Sequence, residues 1–129
     1  MSYTERYGRQ TVAIRSNGVC ERCDAGRATD WSHRKARGQQ GSWEPSNGLG
    51  LCRGCHAWAH AHPKAATVLG IFISAHDMRP PEEIPVVTRH GRVYLLNSGA
   101  IIAAEPTLTD LPTDIRHALE EITPPWSNR

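Results

Sequence analysis

Four cysteines and three histidines are the residues most able to do chemistry. The cysteines fall in two pairs, Cys20-Glu21-Arg22-Cys23 and Cys52-Arg53-Gly54-Cys55. Two residues between thiolates let one tight turn present both sulfurs to a single ion, and Gly54 eases the second turn. Two such pairs make the ligand set of a tetrahedral four-cysteine zinc site. Two disulfides are the alternative, and the absence of an apolar run behind Met1-Ser2-Tyr3-Thr4-Glu5-Arg6 argues for a reducing compartment instead. Cys52-Arg53-Gly54-Cys55-His56 also matches the attachment motif of a c-type haem. The second cysteine pair, and Met78 as the only internal methionine, argue against haem.

His56 and His60 are four residues apart, which on a helix puts both imidazoles on one face and within reach of one metal ion. His62 precedes Pro63 and points elsewhere. His33 is followed by Arg34, Lys35 and Arg37, a cationic run suited to phosphate. Asn47-Gly48 reads as a turn.

In order, the chain has a cysteine pair, His33, Asn47, and a cysteine pair running into His56 and His60. This resembles the zinc-containing HNH endonucleases of the ββα-metal superfamily, common in phages, over roughly residues 10–65. The resemblance implies a β-hairpin and a helix clasping one catalytic divalent ion (Mg2+, Mn2+, Ni2+ or Zn2+), beside a structural Zn2+ on Cys20, Cys23, Cys52 and Cys55. It implies His33 as the general base, Asn47 as the residue that fixes the hairpin loop and orients the His33 ring, and His56 and His60 as metal ligands. Arg34, Lys35 and Arg37 would hold the DNA backbone, and Trp43, in a glycine-rich basic loop, is a candidate for nucleic-acid contact. Many relatives carry an acidic residue or a second histidine just before the base. Here that place holds Ser32, and Asp30, two residues earlier on the same strand face, is the substitute ligand. Ser32 also motivates an alternative, a zinc-stabilised DNA-binding or assembly module without catalysis. Family context adds a monomer in the cytoplasm of a bacterial host, with DNA as partner and a phage packaging terminase as a further one.

The elements that must position these residues follow from local signals. Residues 3–16 form a weak helix stopped by Asn17-Gly18. Residues 27–33 read as a strand and 34–48 as an irregular loop. A helix over 55–61 ends at Pro63, which opens another helical turn up to Gly70. Ile71-Phe72-Ile73 is an apolar run. Strands follow at 86–87, 92–96 and 100–103, then a helix from Pro112 to about Ile122 and a loose tail. The expected fold is a small α+β protein. Its ββα-metal core, residues 1–70, is stapled by the four cysteines and carries a strand-rich extension, residues 71–129. Trp31, Trp58, Val12, Ile14, Leu49, Leu51, Val68 and Leu69 are the expected core.

Leu, Ile, Val and Phe number only 23 of 129 residues, so a staple for a thin core is expected. No stretch approaches a membrane span. The net charge of +2 divides into +4 over residues 1–60 and −2 over 61–129. Four thiolates on one Zn2+ carry a formal −2, which brings the loaded chain to about neutral. A basic metal-bearing half suggests an anionic partner.

Overall fold

The computed structural model describes residues 3–36, 42–105 and 113–115. Helix α1 spans Glu5–Ser16. Thr4 caps its start by accepting from the Tyr7 amide at 3.0 Å, and Asn17 ends it in the left-handed region at φ 55°. Gly8, Val12 and Ser16 form its buried stripe at four-residue spacing. Ile14, expected in the core, is 81% exposed, because it lies on the far side of the helix from Val12.

Strands β1 (Asp30–His33) and β2 (Gly48–Leu51) pair antiparallel, with Asp30 opposite Leu51 and His33 opposite Gly48. The expected strand over 27–33 is shorter, since Arg27 forms only an isolated bridge to Val19. Gly48 is required here: a Cβ on it would fall inside the Trp31 ring. Helix α2 (Arg53–Ala61) leaves β2 directly and is capped by Cys52, whose Sγ accepts from the Cys55 amide at 3.4 Å. That cap starts the helix two residues earlier than the spacing predicts. Pro63 breaks the helix and begins α3 (Pro63–Val68). Gly70 follows at φ 81°, with Pro85 so close that no side chain fits. Val68, another expected core residue, lies 40% exposed on α3.

A second antiparallel sheet joins β3 (Val86–Thr88), β4 (Gly91–Leu95) and β5 (Ile101–Ala103). Its inward residues Val86, Val93 and Leu95 share one core with Leu49, Leu51, Trp58, Leu69 and Ile71. The apolar core therefore runs unbroken across residue 70. Of the expected C-terminal helix, residues 113–115 are helical and Ile115 enters that core; the rest, and the tail, lie outside the described residues. Among the described residues, no helix is long and apolar enough to cross a membrane.

Buried arginines supplement this thin core. Arg34 is 1% exposed. Its guanidinium donates to the carbonyls of Gly70 (2.8 Å), Ser46 (2.9 Å), Pro81 (3.2 Å) and Ile84 (2.6 Å). Arg89 likewise donates to Ser16 and Val19 carbonyls at 2.8 and 2.9 Å, tying the second sheet to the end of α1. Arg15 pairs with buried Glu21 at 2.8 Å, and Glu21 in turn accepts from the Gly50 amide. Most of these contacts meet backbone groups inside the fold, where a polar group without a partner is costly.

Candidate functional site

The two cysteine pairs converge. The four Sγ atoms all lie within 4.8 Å of one another, with Cys20 and Cys55 buried. Four sulfurs about 2.3 Å from a tetrahedral ion stand about 3.8 Å apart, and Cys23 and Cys52 are separated by 3.9 Å. The cluster therefore fits one structural metal ion of zinc's size and preference. Its protonation pattern agrees. Hydrogen bonding from Cys55 pulls the Cys20 thiol down to about 4, whereas burial pushes the Cys52 thiol up. The Cys20 thiolate is thus stabilised by its neighbours and that of Cys52 is penalised by burial, a penalty that a dication would remove. Gly26 makes the approach possible, for a Cβ there would stand 2.7 Å from that of Cys52. Arg22 donates to Cys55 Sγ at 3.9 Å and lies over the Trp58 ring at 4.2 Å.

One turn further along α2, His56 and His60 face each other with their Nε2 atoms 3.2 Å apart. Two imidazole nitrogens on one tetrahedral ion, at about 2.0–2.1 Å, stand about 3.3–3.4 Å apart. The 3.2 Å contact is a hydrogen bond between the two rings, and it is also close to the spacing of two nitrogens on one ion. Asp30 Oδ2 lies 2.9 Å from His56 Nδ1 and 3.3 Å from Arg53 Nε, while Oδ1 accepts from Thr29. These contacts, led by the His56 hydrogen bond, hold the Asp30 carboxyl below its usual value. Asp30 and His60 therefore meet different nitrogens of the same ring. The sequence offers Asp30 as a metal ligand; its position is that of the carboxylate behind a histidine, which fixes the ring with its Nε2 turned toward His60. Ser32 is 1% exposed, so it does not reach the site.

His33 ends β1. Its ring packs edge-on against Trp31 (4.8 Å) and Trp43 (4.6 Å), and Arg9 lies over Trp43 at 4.9 Å. Trp43 thus closes an aromatic cluster that holds His33. Trp58 is core, as expected, while Trp31 is half-buried within that cluster. Asn47 is fully buried. Its Oδ1 accepts from the Lys35 amide at 2.8 Å, and its Nδ2 donates to the Lys35 and Ser42 carbonyls at 3.1 and 3.0 Å. It clasps the hairpin loop just beyond His33 through Lys35 and Ser42.

The cationic run divides. Arg34, expected on phosphate, is instead the buried tie between segments described above; its donors point inward to carbonyls, and no surface remains for a ligand. Lys35 is half-buried and donates to the Asp77 carbonyl at 3.2 Å. Arg37 lies outside the described residues.

His33, His56 and His60 line one open cleft of about 860 Å3. Lys64 and Thr67 from α3 and His76 from the following loop complete its edge, and Phe72 forms part of its wall, with its ring 5.1 Å from that of His60. Sequence reasoning missed these residues. Only the apolar run at 71–73, where the helical pattern stops, hinted that this segment packs beside the site. No protein-family model, curated protein or solved structure matches the chain, so its functional reading rests on this geometry.

Proposed function

We propose that the protein is a divalent-metal-dependent DNA endonuclease of the HNH type, stapled by a structural Zn2+ on Cys20, Cys23, Cys52 and Cys55. The observation that carries this reading is the pair of Nε2 atoms on His56 and His60, 3.2 Å apart, with Asp30 on the other nitrogen of His56. The hairpin–helix order β1, β2, α2 and the clasp by Asn47 support it further. A divalent ion on His56 and His60 would polarise the scissile phosphate and stabilise the departing oxygen. Imidazole donors suit Zn2+ or Ni2+ better than Mg2+.

The chain's own residues supply the rest. Asp30 keeps the Nδ1 proton of His56 in place. The Trp31–Trp43 cluster fixes the His33 ring at the cleft, where an imidazole neutral near pH 7 accepts a proton from water. The hydroxide oxygen bonds to phosphorus, the bond from phosphorus to the 3′-oxygen breaks, and a proton returns to that oxygen. Lys64 at the cleft edge offers positive charge to the flanking backbone. Supercoiled plasmid incubated with Mg2+, Mn2+, Ni2+ or Zn2+ tests the reading. Wild-type protein should nick it, a chelator should stop it, and His33→Ala should lower the rate by at least about a hundredfold. Equal cleavage by His33→Ala would remove that residue from its role.

A second reading, a DNA-binding module without catalysis, draws on Ser32, which is buried where relatives place a ligand. Absence of nicking in every metal, with DNA binding retained, would select it.

A further inference from the structure

We propose that the wall of the cleft beside His60 is a pocket for one unstacked nucleobase, so that the site prefers single-stranded or locally unpaired DNA over continuous duplex. The inference rests on the phosphodiesterase reading for the histidines of the cleft and adds an occupant for the apolar surface beside them. His33, His56 and His60 would face the reacting phosphate, and Lys64, Thr67, Ser74 and His76 line the same cleft. Interleaved with them, Ala36, Val68, Phe72, Ile73 and Ala75 give the cleft more apolar surface than a grip on the sugar–phosphate chain alone would use. Val68 is 40% exposed there, and the half-buried Phe72 ring stands 5.1 Å from His60.

Apolar surface one side chain away from a phosphate site suits the face of a base, and Lys64 suits the backbone beside it. Within a duplex each base is stacked on both faces and paired. A base reaches this wall, with its own phosphate at the histidines, only when it leaves the stack. The volume of about 860 Å3 accommodates a nucleotide with its sugar. The exposure of Val68 thus has a use: it keeps the wall open.

The test measures binding apart from cleavage. Zinc-loaded protein carrying His33→Ala is titrated, by fluorescence anisotropy, into a labelled single strand, its perfect duplex, and a duplex with a central unpaired loop. The single strand and the unpaired loop should bind at least about fivefold tighter than the duplex, the low end of one base–aromatic stack. Phe72→Leu, which keeps an apolar side chain but loses the ring, should abolish that preference and weaken duplex binding far less. Val68→Ser, at an exposed position, should reduce the preference without touching the core. Equal or tighter duplex binding, no binding to any of the three, or an equal loss on all three with Phe72→Leu would overturn the proposal. The two readings fail separately. Nicking without the preference removes the pocket alone, and the preference without nicking keeps the pocket and removes hydrolysis.

Discussion

Replacing Arg34 by Met is expected to cost about 3–5 kcal/mol of stability. The guanidinium joins four carbonyls from separate parts of the chain, Ser46, Gly70, Pro81 and Ile84, at 2.6–3.2 Å. Hydrogen bonds to a charged group contribute about 1.5–3 kcal/mol each. Their plain sum overstates the case, because the free side chain regains its hydration on unfolding. That offset is visible in the site itself. Burial, with like charge on Arg15 as the lesser cause, pulls the Arg34 guanidinium down to about 9, yet it stays protonated at neutral pH. The net loss is then the cost of leaving buried carbonyls without a donor, about 1–3 kcal/mol for each one left unpaired. For a chain of this size it lowers the melting temperature by roughly 10–20 °C. Arg34→Lys keeps the charge but not the planar fork, so it should fall between Met and wild type. Circular-dichroism melting of zinc-loaded protein reads the effect. A shift below about 2 °C, accompanied by weakened DNA binding, would refute the buried role and return Arg34 to the phosphate surface that the sequence suggests.

Two further outcomes follow from the metal geometry. Stripping the structural ion with a chelator, or replacing Cys23 by Ser, should lower the melting temperature sharply and expose dye-binding surface, since such a site supplies on the order of 10 kcal/mol in small domains; an unchanged melt would show that the four cysteines hold no structural ion. Acid provides the other test. The Asp30 carboxyl is held below its usual value chiefly by His56. A depressed carboxyl contributes stability that is complete above its unfolded value of about 3.9 and disappears as pH falls through the lower folded value. Melting temperature of protein holding only its structural ion should therefore fall more steeply below about pH 4 in wild type than in Asp30→Asn, and equal slopes would show that the contact stabilises nothing.

What could be read in the sequence was whatever short-range geometry dictates. Metal ligands constrain their own spacing, so the convergence of the cysteine pairs was legible before any fold was known, and helical spacing put His56 and His60 on one face. The stop of α1 was legible for the same reason, because Asn17 acts on its own turn, whereas its start falls at Glu5 behind the Thr4 cap and not at residue 3 as the sequence suggests. Arg34 was illegible. In the run Arg34-Lys35-Ala36-Arg37 nothing separates a buried cation from a solvated one. The distinction arises only when carbonyls up to 50 residues away arrive around it. Asp30 falls between the two cases. Alternation put it on the right strand face, but whether it meets an ion or the ring behind the ion depends on which nitrogen of His56 is turned toward it. Ile14 and Val68 were misplaced because apolar type alone does not fix azimuth on a helix with so few apolar neighbours.

Helix α2 shows why staple and site belong to one design. Cys52 caps it and Cys55 sits in its first turn, so two of the four sulfurs fix where the helix begins and how it is rotated about its axis. His56 is the next residue and His60 the next turn. Their azimuth is set by the cysteine cluster at one end and by the Asp30 contact to β1 on the side. Opposite the chemistry, Trp58 and Ala59 bury the helix in the core. A core so short of large aliphatic residues would leave this helix free to rotate by a fraction of a turn, and the two Nε2 atoms would lose their common focus. The tetrahedral cluster removes that freedom at the helix start, where rotation would have the greatest leverage on His56. Loss of the structural ion should therefore disperse the histidine pair before it unfolds the chain.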